Sequence, residues 1–70
     1  MLIVSSDKKT VVNLDTIDCI RICENQIVAD CAFMDGYHVL AHFDSDESAE
    51  LELNYLITAC SNGKKVYVMP

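Results

Sequence analysis

Basic residues are scarce in this chain. Lys8, Lys9, Arg21, Lys64 and Lys65 stand against eleven acidic residues, for a net charge of −6 over 70 residues. A nucleic-acid backbone is gripped by a basic patch, so no direct nucleic-acid binding is expected. Glycine is nearly absent, with only Gly36 and Gly63, which leaves no loop able to cradle a phosphate. No GxSxG or other nucleophile signature occurs, and no enzyme is expected. No apolar run approaches the ~18 residues that cross a membrane. Met1 is followed by "LIVSSDKKT", where the basic residues come after the apolar run, unlike a secretory leader. A cytoplasmic location is therefore expected, with no membrane partner.

Four cysteines are present, Cys19, Cys23, Cys31 and Cys60, none in a CxxC pair. In a reducing compartment they read as free thiols that pack like small apolar residues. The length fits one domain, 1–70. Such a chain buries only about 60% of its unfolded surface, so a partner subunit is a natural source of added stability.

The chain begins with strand-like runs, "MLIVSS" and "TVVNL", joined by the polar "DKK" and read as a hairpin. In "DTIDCIRICE", Ile20 and Ile22 fall on one face and Cys19, Arg21 and Cys23 on the other. Asn25-Gln26 reads as a turn, followed by "IVADCAFM", where Ile27, Ala29, Cys31 and Phe33 share a face. Asp35-Gly36 is the strongest hairpin signal, and "YHVLAHF" returns as a strand.

Then the period changes. Ala49, Leu53, Leu56, Ile57 and Cys60 follow helical spacing. Asp44 or Ser45 can cap its start, with Glu47 completing a capping box after Asp44. Asn62-Gly63 supplies the stop, and "KKVYVMP" is a last strand. The expected fold is α+β: a small antiparallel sheet in the order β-β-β-β-α-β, with one amphipathic helix packed on one face.

The stretch "FDSDESAELEL" holds five of the eleven acids: Asp44, Asp46, Glu47, Glu50 and Glu52. Asp44, Asp46 and Glu47 fit the helix's first turn, where the macrodipole favours negative charge. Glu50 and Glu52 fit a solvated helix face.

The segments "LIVSSDKKTVVNLDTIDCIRI", "VLAHFDSDESAELEL" and "NGKKVYVMP" resemble a group of small proteins encoded by phages and integrated elements of Gram-positive bacteria. Those proteins carry a "DKKTIVNL"-like start, a "LGxYDSxExA"-like junction and a final strand ending in Met-Pro. Here the junction glycine is Ala41. The resemblance spans nearly the whole chain and implies a compact α+β unit in a mobile-element setting. It carries no catalytic residue across.

His38 and His42 are four apart. On a strand that spacing is about 13 Å, too far to share an ion, so both are expected on the polar face. Cys19 and Cys23 meet the same objection, although a cross-strand site joining either to Cys31 or His38 stays open. Neither a metal nor a cofactor is expected. A domain this small has little volume for a pocket of ~300 Å³.

Apolar residues exceed what one helix can cover. Leu51, Tyr55 and Thr58 line a second helical face. Val28, Ala32 and Met34 oppose the Ile27–Phe33 face, and Tyr67 and Met69 oppose Val66 and Val68. Uncovered apolar surface points to docking, most simply as a homodimer. The expected function is a non-enzymatic protein-interaction module. It would bind a basic host protein, such as a nucleic-acid-binding defence component that it inhibits. The acids Asp44, Asp46, Glu47, Glu50 and Glu52 would supply charge, and Leu51 and Tyr55 the apolar anchors. Two alternatives are a metal- or small-ligand-binding module with a dimer-interface site built from Cys19, Cys23, His38 or His42, and a phage structural component.

Overall fold

The computed structural model describes residues 1–31 and 35–70. The expected positions of Ala32, Phe33 and Met34 lie outside the described residues. The fold is α+β, with antiparallel pairing dominant and one helix packed against the strands. Among the described residues five strands precede the helix, one more than the expected order: β1 (Leu2–Val4), β2 (Val11–Asn13), β3 (Ile17–Cys23), β4 (Gln26–Cys31) and β5 (Tyr37–His42). The helix α1 (Asp46–Ser61) and strand β6 (Val66–Val68) follow. A short 3-10 turn at Leu14–Thr16, capped by the Asn13 side chain, separates β2 from β3.

The strands divide into two three-stranded sheets, in the orders β2-β1-β6 and β3-β4-β5. β1 pairs antiparallel with β2 as a hairpin and parallel with β6. The sheets meet where the Ser6 N–H donates to the Leu40 carbonyl at 2.8 Å. Ile3 and Val12 from one sheet and Ile27, Ala29, Leu40 and Ala41 from the other share one core with Ala49, Leu56 and Met69.

Irregularities in the second sheet decide which side chains face the core. Asp18 is the extra residue where Ile17 pairs with Cys31 but Cys19 pairs with Asp30. On β5, Ile27 pairs with Ala41 and Val28 with Val39, so Leu40 is extra and both Leu40 and Ala41 are buried. Each bulge flips the side-chain alternation beyond it.

The β3–β4 turn is Glu24–Asn25, one residue earlier than its composition suggests, because Cys23 pairs with Gln26. Both turn residues take positive φ, 50° and 64°. That is the geometry of a two-residue turn matched to strand twist. Gly36, at φ 107°, supplies the positive φ expected between β4 and β5.

The helix is capped by Ser45, whose Oγ accepts the Ser48 N–H at 3.1 Å. Ser48 thus occupies the capping-box position, and the expected Asp44–Glu47 box does not form. At the other end Gly63 N–H donates to the Cys60 carbonyl and Lys64 N–H to that of Ala59. With Gly63 at φ 73°, this pair of bonds ends the helix in a Schellman motif.

Candidate docking surfaces

The acidic residues at the helix do not act as one cluster. Asp46 accepts the Asn25 N–H at 3.0 Å, clamping the helix start to the β3–β4 turn. Glu52 is half-buried and accepts from the Tyr67 hydroxyl, which fastens β6 to the helix. Both carboxylates therefore have structural duties. Asp44, Glu47 and Glu50 are exposed and make no side-chain hydrogen bond among the described residues.

Beside Glu47 and Glu50, one helical turn on, stand Leu51 and Tyr55, 55% and 56% exposed. Glu47, Leu51 and Tyr55 are spaced four apart and so form one outward ridge. The structure brings together Glu47, Glu50, Leu51 and Tyr55 from the expected partner-binding set, and it draws Asp46 and Glu52 away.

The apolar stripe is only half used for the core. Ala49 and Leu56 are buried and Leu53 half-buried, but Ile57 and Cys60 are exposed. They overlook a groove of about 290 Å³ lined also by Met1, Leu14, Ile20, Leu53 and Leu56. A neighbouring open cleft of about 450 Å³ lies between Leu2, Asp15, Lys64 and Lys65. Space of the size a small ligand needs is therefore present, contrary to the expectation from length, but as open surface clefts.

The reverse of the β2-β1-β6 sheet carries a set of uncovered aliphatic residues. Leu2, Val11, Val66 and Val68 are exposed there, around a half-buried Val4. Val28, expected among the spare apolar residues, is instead fully buried between its cross-strand neighbours Arg21 and Val39.

The outer face of the β3-β4-β5 sheet holds a polar cluster that sequence reading did not assemble. The Arg21 Nε donates to Asp30 Oδ2 at 2.7 Å and Nη2 to Oδ1 at 3.3 Å. The Cys19 thiol donates to the same Asp30 Oδ2 at 3.0 Å. The guanidinium also lies 5.3 Å from the centre of the Tyr37 ring. Arg21 and then Cys19 hold the Asp30 carboxyl below the usual carboxylate range. Asp30 in return pushes the Cys19 thiol up, keeping it protonated. The signal was cross-strand: Cys19 and Arg21 share the face on which Asp30 alternates with Val28.

The bulges separate the residues proposed as metal ligands. His38 pairs with Ala29 and so lies on the core face, half-buried, not on the polar face expected for it. His42 pairs with Gln26 on the other face, where the Gln26 side-chain nitrogen lies 3.0 Å from its Nε2. Cys31, opposite Ile17, faces away from Cys19 and Cys23. A cross-strand site joining Cys19 or Cys23 to Cys31 or His38 is thus not assembled within one copy. Among the described residues no group of three or more His, Cys, Asp or Glu could hold a metal ion. No described helix is long and apolar enough to cross a membrane.

Compared with known proteins, the chain matches no family model, no curated protein and no solved structure. The resemblance to phage and mobile-element proteins rests on the quoted segments alone.

Proposed function

We propose that this chain is a non-enzymatic docking module that binds a protein through the outward ridge of α1. The observation that carries this reading is the pairing of Leu51 and Tyr55, each more than half exposed, with the unengaged carboxylates of Glu47 and Glu50. A tyrosine buries much area at little entropic cost, and adjacent carboxylates select a basic surround. The complementary partner has an apolar groove rimmed by Lys or Arg, as nucleic-acid-binding proteins do. Occupying such a groove would inhibit that protein, which suits the mobile-element setting implied by the resemblance.

Affinity capture from a Gram-positive host tests the reading with three baits: the wild type, Leu51→Ala/Tyr55→Ala, and Glu47→Gln/Glu50→Gln. The expected result is a basic protein held by the wild type, lost with the first pair and weakened with the second. Raising the salt should also weaken it, because the rim charges are exposed. Capture that is identical for all three baits, or no enrichment by the wild type, ends the proposal.

A further inference from the structure

We infer that the groove beside Ile57 and Cys60, with the cleft that opens from it, binds a free single-chain anionic amphiphile. The aliphatic tail lies in the groove and the anionic head sits at Lys64 and Lys65. This inference goes beyond the ridge on α1 and does not depend on it. Ile57 and Cys60 belong to the stripe that carries the buried Leu56, on another side of the helix from Leu51 and Tyr55.

The two spaces are continuous. Met1, Leu14 and Cys60 line both the groove of about 290 Å³ and the cleft of about 450 Å³. Four elements build the groove: the 3-10 turn gives Leu14, β3 gives Ile20, and α1 gives Leu53, Leu56 and Ile57, with Met1 ahead of β1. Leu14, Ile20 and Leu53 are half-buried, so the floor is set by packing, while Ile57 and Cys60 stand exposed at its edge. The lysines come from the segment that joins the helix to β6. The Lys64 N–H donates to the Ala59 carbonyl at 3.1 Å, and the Lys65 carbonyl accepts the Leu2 N–H at 2.9 Å. Main-chain bonds thus hold both lysines at the cleft.

The lining decides the class of ligand. Among the described residues no side chain of the groove carries a hydroxyl, an amide or a charge. A peptide main chain laid there would leave its N–H and C=O groups without partners, which is costly, whereas an alkyl chain needs none. The groove is at the lower end of small-ligand sites, about 300–1,000 Å³, which suits one chain. In the cleft the ammonium groups of Lys64 and Lys65 outnumber the one carboxylate, Asp15. Neither lysine makes an ion pair among the described residues, and Lys64 touches only the Tyr67 ring, 5.6 Å from its centre. On a chain of net charge −6, this local excess of positive charge selects an anionic head.

Calorimetric titration with sodium octanoate, decanoate and laurate, each kept below its micelle concentration, tests the inference. One molecule should bind per chain, about two- to fourfold more tightly for each added methylene. Laurate should bind about fivefold more tightly than dodecanol, the worth of an exposed ion pair, and Lys64→Ala/Lys65→Ala should erase that difference. Ile57→Glu, which sets a carboxylate in the groove, should abolish binding, while Leu51→Ala/Tyr55→Ala leaves it unchanged. Circular dichroism checks that the variants fold. As a second readout on the wild type, laurate should slow iodoacetamide labelling of Cys60 and leave that of Cys19 unaltered. No binding by laurate overturns the inference, as does affinity that ignores chain length or survives Ile57→Glu. So does equal binding of laurate and dodecanol, or uptake of many molecules per chain. Capture on phosphatidylglycerol vesicles without binding of free laurate assigns the face to a membrane surface and also overturns it. Because the ridge is read out by protein capture and this groove by laurate, failure of one leaves the other standing.

Discussion

The Tyr67 hydroxyl donates to the Glu52 carboxylate, tying the last strand to the middle of the helix. β6 is three residues long and forms an edge of its sheet, so it depends on such side-chain ties. Lys64 adds to this one, its ammonium 5.6 Å from the Tyr67 ring centre. The same bond explains why Glu52, despite its place in the acidic run, is not free for a partner.

This bond predicts an alkaline limit. Burial, then the bond to Glu52, pushes the Tyr67 phenol up to about 12. An unfolded tyrosine titrates near ~10, so between those values the native state holds a proton that the unfolded chain has lost. Stability is complete below the unfolded value and falls as pH rises through the folded one. Denaturant titrations across this range should show that decline, and Tyr67→Phe should flatten its part of it. At neutral pH the same change should cost about 0.5–1.5 kcal/mol.

A second prediction concerns the β3–β4 turn. Glu24 holds φ at 50°, a left-handed conformation that a side chain with a Cβ resists. Asn25 takes the same region with a side chain that tolerates it. Replacing Glu24 with Asn or Gly should relieve the strain and stabilise the protein by about 0.5–1 kcal/mol, the midpoint in urea rising with the slope unchanged. A lower midpoint for both variants would show that the Glu24 side chain contributes more than its backbone costs.

The helix start yields a third. Ser45 satisfies the Ser48 N–H, and Asp46 satisfies that of Asn25 from a distant turn. Ser45→Ala should cost about 1 kcal/mol, the usual loss of a cap. Asp46→Ala should also speed hydrogen exchange at Asn25, whose amide would lose its acceptor, while Glu47→Ala and Glu50→Ala leave that amide unchanged. An unaltered Asn25 exchange rate in Asp46→Ala would refute the clamp.

How far these features were legible follows from their physical range. The helix was plain from Ala49 to Cys60 because its signals are local: spacing, a capping serine, and Asn62-Gly63 at the end. The strands were equally visible, but their sheets were not. Ile3 pairs with both Val12 and Tyr67, the last more than sixty positions away, and nothing near Ile3 records that distant choice. Bulges erased the facing of the histidines. Neither Asp18 nor Leu40 is a glycine that would mark a break in alternation, and Leu40 sits in an unbroken apolar run. The ridge of Glu47, Leu51 and Tyr55 could be read from helical spacing alone. The loss of Asp46 and Glu52 to Asn25 and Tyr67 could not, since both partners come from other elements.

Asp30 gives the last prediction, because two neighbours draw on one carboxylate. Its Oδ2 accepts from both Cys19 and Arg21, and the carboxylate raises the thiol's proton affinity as the guanidinium lowers its own. Alkylation requires thiolate, so near pH 8 Cys19 should react with iodoacetamide more slowly than a free thiol. Asp30→Asn removes the negative charge while keeping an acceptor, so Cys19 labelling, followed by peptide mass spectrometry, should speed up several-fold. The acid side has the reverse sense. Since Asp30 titrates below its unfolded value, its stabilising share is present above that value and fades as pH drops through the folded one. Asp30→Asn should therefore lose part of the wild type's destabilisation in acid. Unchanged Cys19 labelling in that variant would mean the thiol does not lean on Asp30 in solution.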